Sequence, residues 1–293
     1  MASRWGAVLT AMVTPFDDDG ALDLDAAAEL ARWLQDHGHD GLVVAGTTGE
    51  APVLSVDEKL DLFRAVSEAV TIPTIAGTGS NNTAETVELT ARAAEVGAAG
   101  VLLVGPYYNR PPQAGIEAHF RAAAAATDLP VMIYDVPGRT GRRIAHDVLV
   151  RLFSDVSNIV AFKDATGDPP AAGRLLSDLP SLELYSGDEP QTLSFLAQGA
   201  IGVVGVASHW CAPETGEMIR AFEKGDTVRA REISARLQES YAYMNSDTCV
   251  FSQAAKAMMR TLGLRVGECR LPLGPAPAGT EDRAREVYAK LHA

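Results

Sequence analysis

Short apolar, β-branched runs alternate along the chain with longer segments whose apolar positions recur every three to four residues. GAVLTAMVTPF precedes LDLDAAAELARWLQDHG, GLVVAG precedes SVDEKLDLFRAVSEAV, PTIAGTG precedes NNTAETVELTARAAEVG, and GVLLVGP precedes GIEAHFRAAAAAT. The rhythm continues with PVMIYDVP and AHDVLVRLF, IVAFKDAT and AAGRLLSDL, LELYSGD and PQTLSFLAQG, and AIGVVGVAS and APETGEMIRAFEKG. A short apolar run closed by Gly, Thr or Pro reads as a buried strand, and the longer period reads as an amphipathic helix. Eight such units within residues 1–225 predict an α/β fold, a (β/α)8 barrel. A doubly wound sheet also alternates in this way. Its GxGxxG turn after the first strand is missing, however, and TPFDDDG stands there instead. From Asp226 to Ala293 the pattern changes to three helical segments without strands, joined partly by the Pro/Gly connector RLPLGPAPAG. This predicts a C-terminal helical appendage that either packs on the barrel or builds an oligomer contact.

Composition narrows the functional classes. The 293 residues are 47% hydrophobic and 22% charged, ordinary for a globular chain with a large core. A formal net charge of −13 argues against a nucleic-acid partner, because no basic surface would offset phosphate charge. No apolar run reaches the roughly 18 residues of a membrane span, and MASRWGAVLT lacks a signal-peptide pattern, so a cytoplasmic protein is expected. Cys211, Cys249 and Cys269 have no CxxC spacing and suit reduced thiols. The six histidines have no ligand spacing. Neither a metal nor a cofactor is expected.

One residue breaks the apolar pattern where it matters most. Lys163 closes the sixth strand run, IVAFKD, and in a barrel the C-terminal strand ends face the active site. The other four lysines sit in ordinary settings: Lys59 on an amphipathic helix, Lys224 near a helix end, Lys290 in the last helix, and Lys256 in AAKAMM, where its stem can snorkel to water. Of the five, only Lys163 is placed where burial would lower its pKa and leave an amine able to attack a carbonyl. A salt bridge to Asp164 is the competing reading. Other strand ends carry further polar groups. GTTGE, Gly46 to Glu50, offers hydroxyls and closely spaced amides that suit a carboxylate. In YDVPGRT, Tyr134 lies on the strand and Arg139 on the following loop, where a guanidinium can clamp a second carboxylate. GPYYNRPP places Tyr107 and Tyr108 after the fourth strand.

In their order and strand-end positions, GTTGE, PYYNRP, YDVPGRT, the lysine of FKDATGD and YSGDE resemble the dihydrodipicolinate synthase and N-acetylneuraminate lyase family of Schiff-base barrel enzymes. The resemblance covers essentially the whole chain. It implies that Lys163 condenses with pyruvate and that the resulting enamine attacks L-aspartate 4-semialdehyde, giving 4-hydroxy-tetrahydrodipicolinate for lysine and diaminopimelate biosynthesis. It further implies that Tyr134 shuttles protons through Thr47 to Tyr108, which reaches in from an adjacent subunit. By the same resemblance Thr48 holds the pyruvate carboxylate, Arg139 holds the carboxylate of the aldehyde substrate, and Gly187 and Val204 line the pyruvate site. A homotetramer built from dimers is also implied.

Two departures stand out. Asp135 follows the strand tyrosine where many members carry Asn, and CVFSQAAKA stands where many carry an Asn-Pro pair. A sister aldolase for sialic acid or a 2-keto-3-deoxy sugar acid would use the same lysine, but its polyhydroxylated aldehyde would be better met by uncharged groups than by Arg139. A non-catalytic keto-acid-binding barrel is the alternative outside enzymes, and it would not need both Lys163 and Tyr134. Lysine-inhibited members bind the end product at a subunit interface. Asn81, Glu85 and Tyr107 offer partners there, yet Val56 and Lys59 replace the polar groups common in inhibited members, so weak inhibition by L-lysine is expected.

Overall fold

The computed structural model describes residues 3–246 and 248–293. Eight parallel strands close in sequence order into a barrel. They are β1 (Val8–Ala11), β2 (Gly41–Val44), β3 (Thr74–Gly77), β4 (Gly100–Val104), β5 (Val131–Asp135), β6 (Ile159–Asp164), β7 (Glu183–Ser186) and β8 (Gly202–Gly205). Around them run α1 (Leu24–Asp36), α2 (Val56–Ala69), α3 (Thr83–Ala93), α4 (Gln113–Ala124), the short α5 (Pro137–Thr140), α6 (His146–Asp155), α7 (Pro169–Asp178), α8 (Thr192–Ala197) and α9 (Ser208–Glu223). Local sequence sets the helix starts. Ser55 and Glu58 form a reciprocal capping box on α2, and the side chains of Asp23, Asn82 and Asp168 accept backbone N–H groups at the starts of α1, α3 and α7.

Strand alternation divides the apolar residues into two cores. Leu9, Val43, Ile75, Leu102, Met132, Ala161, Tyr185 and Val204 fill the barrel interior, with Trp5 in the same cluster. Their neighbours in sequence, such as Leu42, Leu103, Ile133 and Phe162, belong to the larger core that also includes the helix faces. The same parity governs the polar strand ends. Met132 and Tyr134 point inward on β5, as Ala161 does on β6, so Lys163 also points inward, and the register pairs it with Tyr134. Asp135 and Asp164, paired one step later, are directed to the opposite face.

After α9 come α10 (Thr227–Met244), α11 (Phe251–Thr261) and α12 (Thr280–Leu291). Ala230, Ile233, Leu237, Met258 and Val287 join the apolar core of the surrounding helices. Tyr243 donates its hydroxyl to the Ala254 carbonyl at 2.9 Å, tying α10 to α11. All three cysteines are buried and unpaired. Among the described residues no helix is long and apolar enough to cross a membrane.

Candidate active site

A cavity of about 520 Å³ opens at the C-terminal ends of the strands. Seven of the eight residues singled out from the sequence line it: Thr47, Thr48, Tyr134, Arg139, Lys163, Gly187 and Val204. The eighth, Tyr108, does not. It is 90% exposed and has a left-handed backbone (φ 69°), so a single chain holds its side chain in solvent.

Lys163 is 6% exposed, and its Nζ lies 4.3 Å from the centroid of the Tyr134 ring. Burial lowers its pKa to about 8, while the nearby Glu189 carboxylate opposes that shift and the Arg139 charge adds to it. Gly187 passes directly beside the lysine stem. A Cβ at that position would lie 3.0 Å from Lys163 Cγ and 3.1 Å from its Cε, so a larger residue would press on the amine's support. The Tyr134 phenol is pushed up to about 12, chiefly by burial, with the Arg139 charge and the Thr47 hydroxyl acting the other way. It therefore keeps its proton at neutral pH.

Thr47 and Thr48 sit on a compact turn. The Glu50 N–H donates to the Thr47 carbonyl at 3.1 Å, the Ala51 N–H donates to the Gly46 carbonyl at 3.2 Å, and Thr14 donates its hydroxyl to the Gly49 carbonyl at 2.6 Å. Ala45 and Glu50 have left-handed backbones (φ 50° and 57°), so strain brackets the turn. Arg139 lies on the short helix α5 rather than on an irregular loop, because Pro137 presets that turn and Gly141 ends it. Its guanidinium lies over the Phe251 ring, 4.3 Å from the centroid.

Three aspects of the sequence reading need correction. Lys256 does not snorkel: it is fully buried, paired with Glu50 at 2.7 Å, and also donates to the Glu268 carbonyl at 2.9 Å. Because α11 packs inside the fold, no route to water is left for its stem. Nor is Lys163 unique in having a depressed pKa. Burial also lowers Lys256, against the pull of Glu50, and lowers Lys59. Lys163 differs from Lys256 in having no carboxylate partner at salt-bridge distance among the described residues, and from Lys59 in standing at the strand ends, in the same cavity as Tyr134, Thr47, Thr48 and Arg139. Finally, the segment after α9 does more than pack on the barrel, since Met244, Asn245 and Phe251 form part of the cavity wall.

Glu189 was also missed. Its carboxyl group accepts N–H groups from Val206 (2.7 Å), Ala207 (2.9 Å) and Ser208 (3.0 Å) where the chain enters α9; burial raises its pKa, while these three donors and Lys163 favour the ionised form. The motif YSGDE contained the signal, a carboxylate two residues beyond Gly187. The position of Phe251, by contrast, has no local signature.

A buried amine, a protonated phenol, a turn of amides and hydroxyls, and a guanidinium thus converge on one cavity, a set suited to imine chemistry on a substrate bearing a carboxylate. The comparisons agree. Residues 4–292 match the dihydrodipicolinate synthetase family. A 4-hydroxy-tetrahydrodipicolinate synthase from Acidothermus cellulolyticus is 49% identical over 288 residues, spanning 97% of this chain and 92% of its own. The crystal structure of a dihydrodipicolinate synthase from Bacillus anthracis superposes with a TM-score of 0.92 at 42% identity, covering 99% of each chain. That of the Cyanidioschyzon merolae enzyme with lysine bound gives 0.95 at 41% identity, again over 99% of each chain. By sequence and by structure alike, the chain belongs to the dihydrodipicolinate synthetase family.

Proposed function

We propose that the protein condenses pyruvate with L-aspartate 4-semialdehyde to form 4-hydroxy-tetrahydrodipicolinate, a step of lysine and diaminopimelate biosynthesis. The observation that carries this reading is the amine of Lys163, buried and unpaired with any described carboxylate, held against the Tyr134 ring inside the cavity. The neutral amine adds to the pyruvate ketone and loses water to give an iminium. Loss of a methyl proton gives an enamine whose carbon attacks the aldehyde. The substrate's own amino group then displaces the lysine as the ring closes, so the net reaction releases one water. Tyr134 is the proton donor and acceptor. Its high pKa supports that role, because the phenol returns to its protonated form after each transfer. Thr47 relays protons onward to Tyr108 of a neighbouring copy. The exposed aromatic ring of Tyr108 supports the idea of an oligomer, which we take to be a tetramer built from dimers. Thr48 and the adjoining amides hold the pyruvate carboxylate, Gly187 and Val204 shape its wall, and Arg139 takes the carboxylate of the aldehyde substrate. We place this activity in the cytoplasm.

Sugar-acid aldolases share the lysine chemistry. A guanidinium at the mouth favours the semialdehyde instead, since it neutralises a carboxylate that a polyhydroxylated aldehyde lacks at that position. The test is turnover of purified protein with pyruvate and aspartate semialdehyde, run beside sialic acid and keto-deoxy sugar acids. Borohydride with pyruvate should trap an adduct on Lys163; an adduct on Lys256 instead, or none, would defeat the mechanism. Arg139→Ala should lose aldehyde turnover by about 2–5 kcal/mol while still forming the imine.

Feedback regulation should be weak. Lys59 lines a second cavity of about 200 Å³ beside Tyr107, where its charge would repel the ammonium groups of L-lysine. The Glu85 carboxylate is already engaged by the Ser80 hydroxyl and the Asn82 amide. Initial rates titrated with L-lysine should change little below millimolar concentration.

A further inference from the structure

The side chain of Arg139 has a long, flexible stem, and its backbone is fixed only as far as the short helix α5, where its N–H donates to the Val136 carbonyl at 2.8 Å. Something else must hold its head. Among the described residues, its guanidinium makes a close contact with the Phe251 ring, 4.3 Å from the guanidinium carbon to the centroid. That ring stands on firm ground. Phe251 is the first residue of α11, whose start is anchored by the buried Gln253. The Gln253 side chain accepts the Val250 N–H at 3.2 Å and donates to the carbonyls of Leu273, Gly274 and Pro275 at 3.0, 3.2 and 3.0 Å. One turn further on, Lys256 is locked to Glu50. The cavity therefore has an aromatic wall on a rigid element, facing a cation on a flexible stem.

We infer that Phe251 is a positioning residue that sets specificity for the second substrate: its ring holds the Arg139 guanidinium where it can take a carboxylate. This rests on the role proposed for Arg139 above. A cation over a ring face is attracted by the ring quadrupole, and the guanidinium N–H groups, which lie in its own plane, stay available for a bidentate partner. A guanidinium held in place before the substrate arrives also loses less freedom on binding. The ring thus favours an aldehyde carrying a carboxylate over one without. Imine formation takes place at Lys163, whose pKa is lowered chiefly by burial and only in small part by the Arg139 charge, so the ring has little effect on that step.

Full-length protein carrying Phe251→Leu, Phe251→Tyr, Arg139→Ala, or Arg139→Ala with Phe251→Leu separates the possibilities. Leucine keeps an apolar side chain of comparable size but has no π face; tyrosine keeps the face. The expected result is a roughly three- to thirtyfold rise in KM for aspartate semialdehyde in Phe251→Leu. Phe251→Tyr should stay near wild type, and borohydride trapping of pyruvate on Lys163 should be unchanged in both. In the Arg139→Ala background, Phe251→Leu should add almost nothing, because its effect passes through the missing guanidinium. Three results overturn the inference: an unchanged KM in Phe251→Leu, an equal loss of imine trapping, or an undiminished penalty in the double variant. If Arg139→Ala itself leaves the aldehyde KM unchanged, the assignment of Arg139 fails first. If it raises KM while Phe251→Leu is silent, only the role of Phe251 falls.

Discussion

Raising the pH from 6 to 9 in the presence of pyruvate alone should accelerate the first covalent step along a single titration curve with its midpoint near 8. The perturbation acts on the neutral fraction of Lys163, whose amine burial brings down from 10.5 to about 8. At pH 7 about one amine in ten is then neutral, against roughly three in ten thousand for an unperturbed lysine, a gain of about 300-fold. The rate should therefore fall about tenfold from pH 7 to 6, rise about fivefold from 7 to 8, and level off above 9. Tyr134, at about 12, keeps its proton throughout this range. Rapid mixing with pyruvate, quenching with borohydride and intact-mass analysis would give the rate at each pH. A rate still climbing tenfold per unit at pH 9 would mean that the amine titrates like an exposed lysine, and the argument from burial would be wrong.

Asp135→Asn should stabilise the protein above neutral pH and leave it little changed in acid. Burial raises this carboxyl from 3.8 to about 7, so between those values the folded state holds a proton that the unfolded state has lost, and wild-type stability falls as pH rises through that window, on the order of 4 kcal/mol in all. Denaturant unfolding at pH 4 and pH 8 checks this; an equal difference between wild type and variant at both values would refute it. Lys256→Met should destabilise by about 3–5 kcal/mol, because it leaves Glu50 charged and buried without its partner, and adding Glu50→Gln should restore part of the loss. Urea midpoints of the single and double variants decide, and a loss in the single variant below about 1 kcal/mol would show that water reaches Glu50.

The barrel was legible because each strand is a short apolar run whose end is marked by a change of residue type, and strand parity carries that mark into the cavity. Lys163, Tyr134, Thr47 and Arg139 each stand at or just past such an end, so their convergence followed from topology. Glu189 was legible in the same way, but its carboxylate was not taken up. The partners of Glu50 and Arg139 were not legible. Lys256 looks like any lysine in an Ala/Met helix, and Phe251 like any aromatic residue at a helix start; only the packing of α11 shows what each one touches. Tyr108 illustrates the opposite limit, since its proposed role depends on a second copy of the chain.

The Glu50 carboxylate also bears on how the protein is made. Its two oxygens wait for Lys256 and for the Arg270 N–H, the latter 220 residues downstream. A ribosome that has finished β8 and α9 has produced all eight strands, yet the turn bearing Thr47 and Thr48 still holds a carboxylate with neither of these partners. Catalytic competence therefore arrives only with the last stretch of translation. Chains cut short near residue 225 are expected to be inert as well as unstable, and new termini from circular permutation would be safer in outer loops than between α9 and α11.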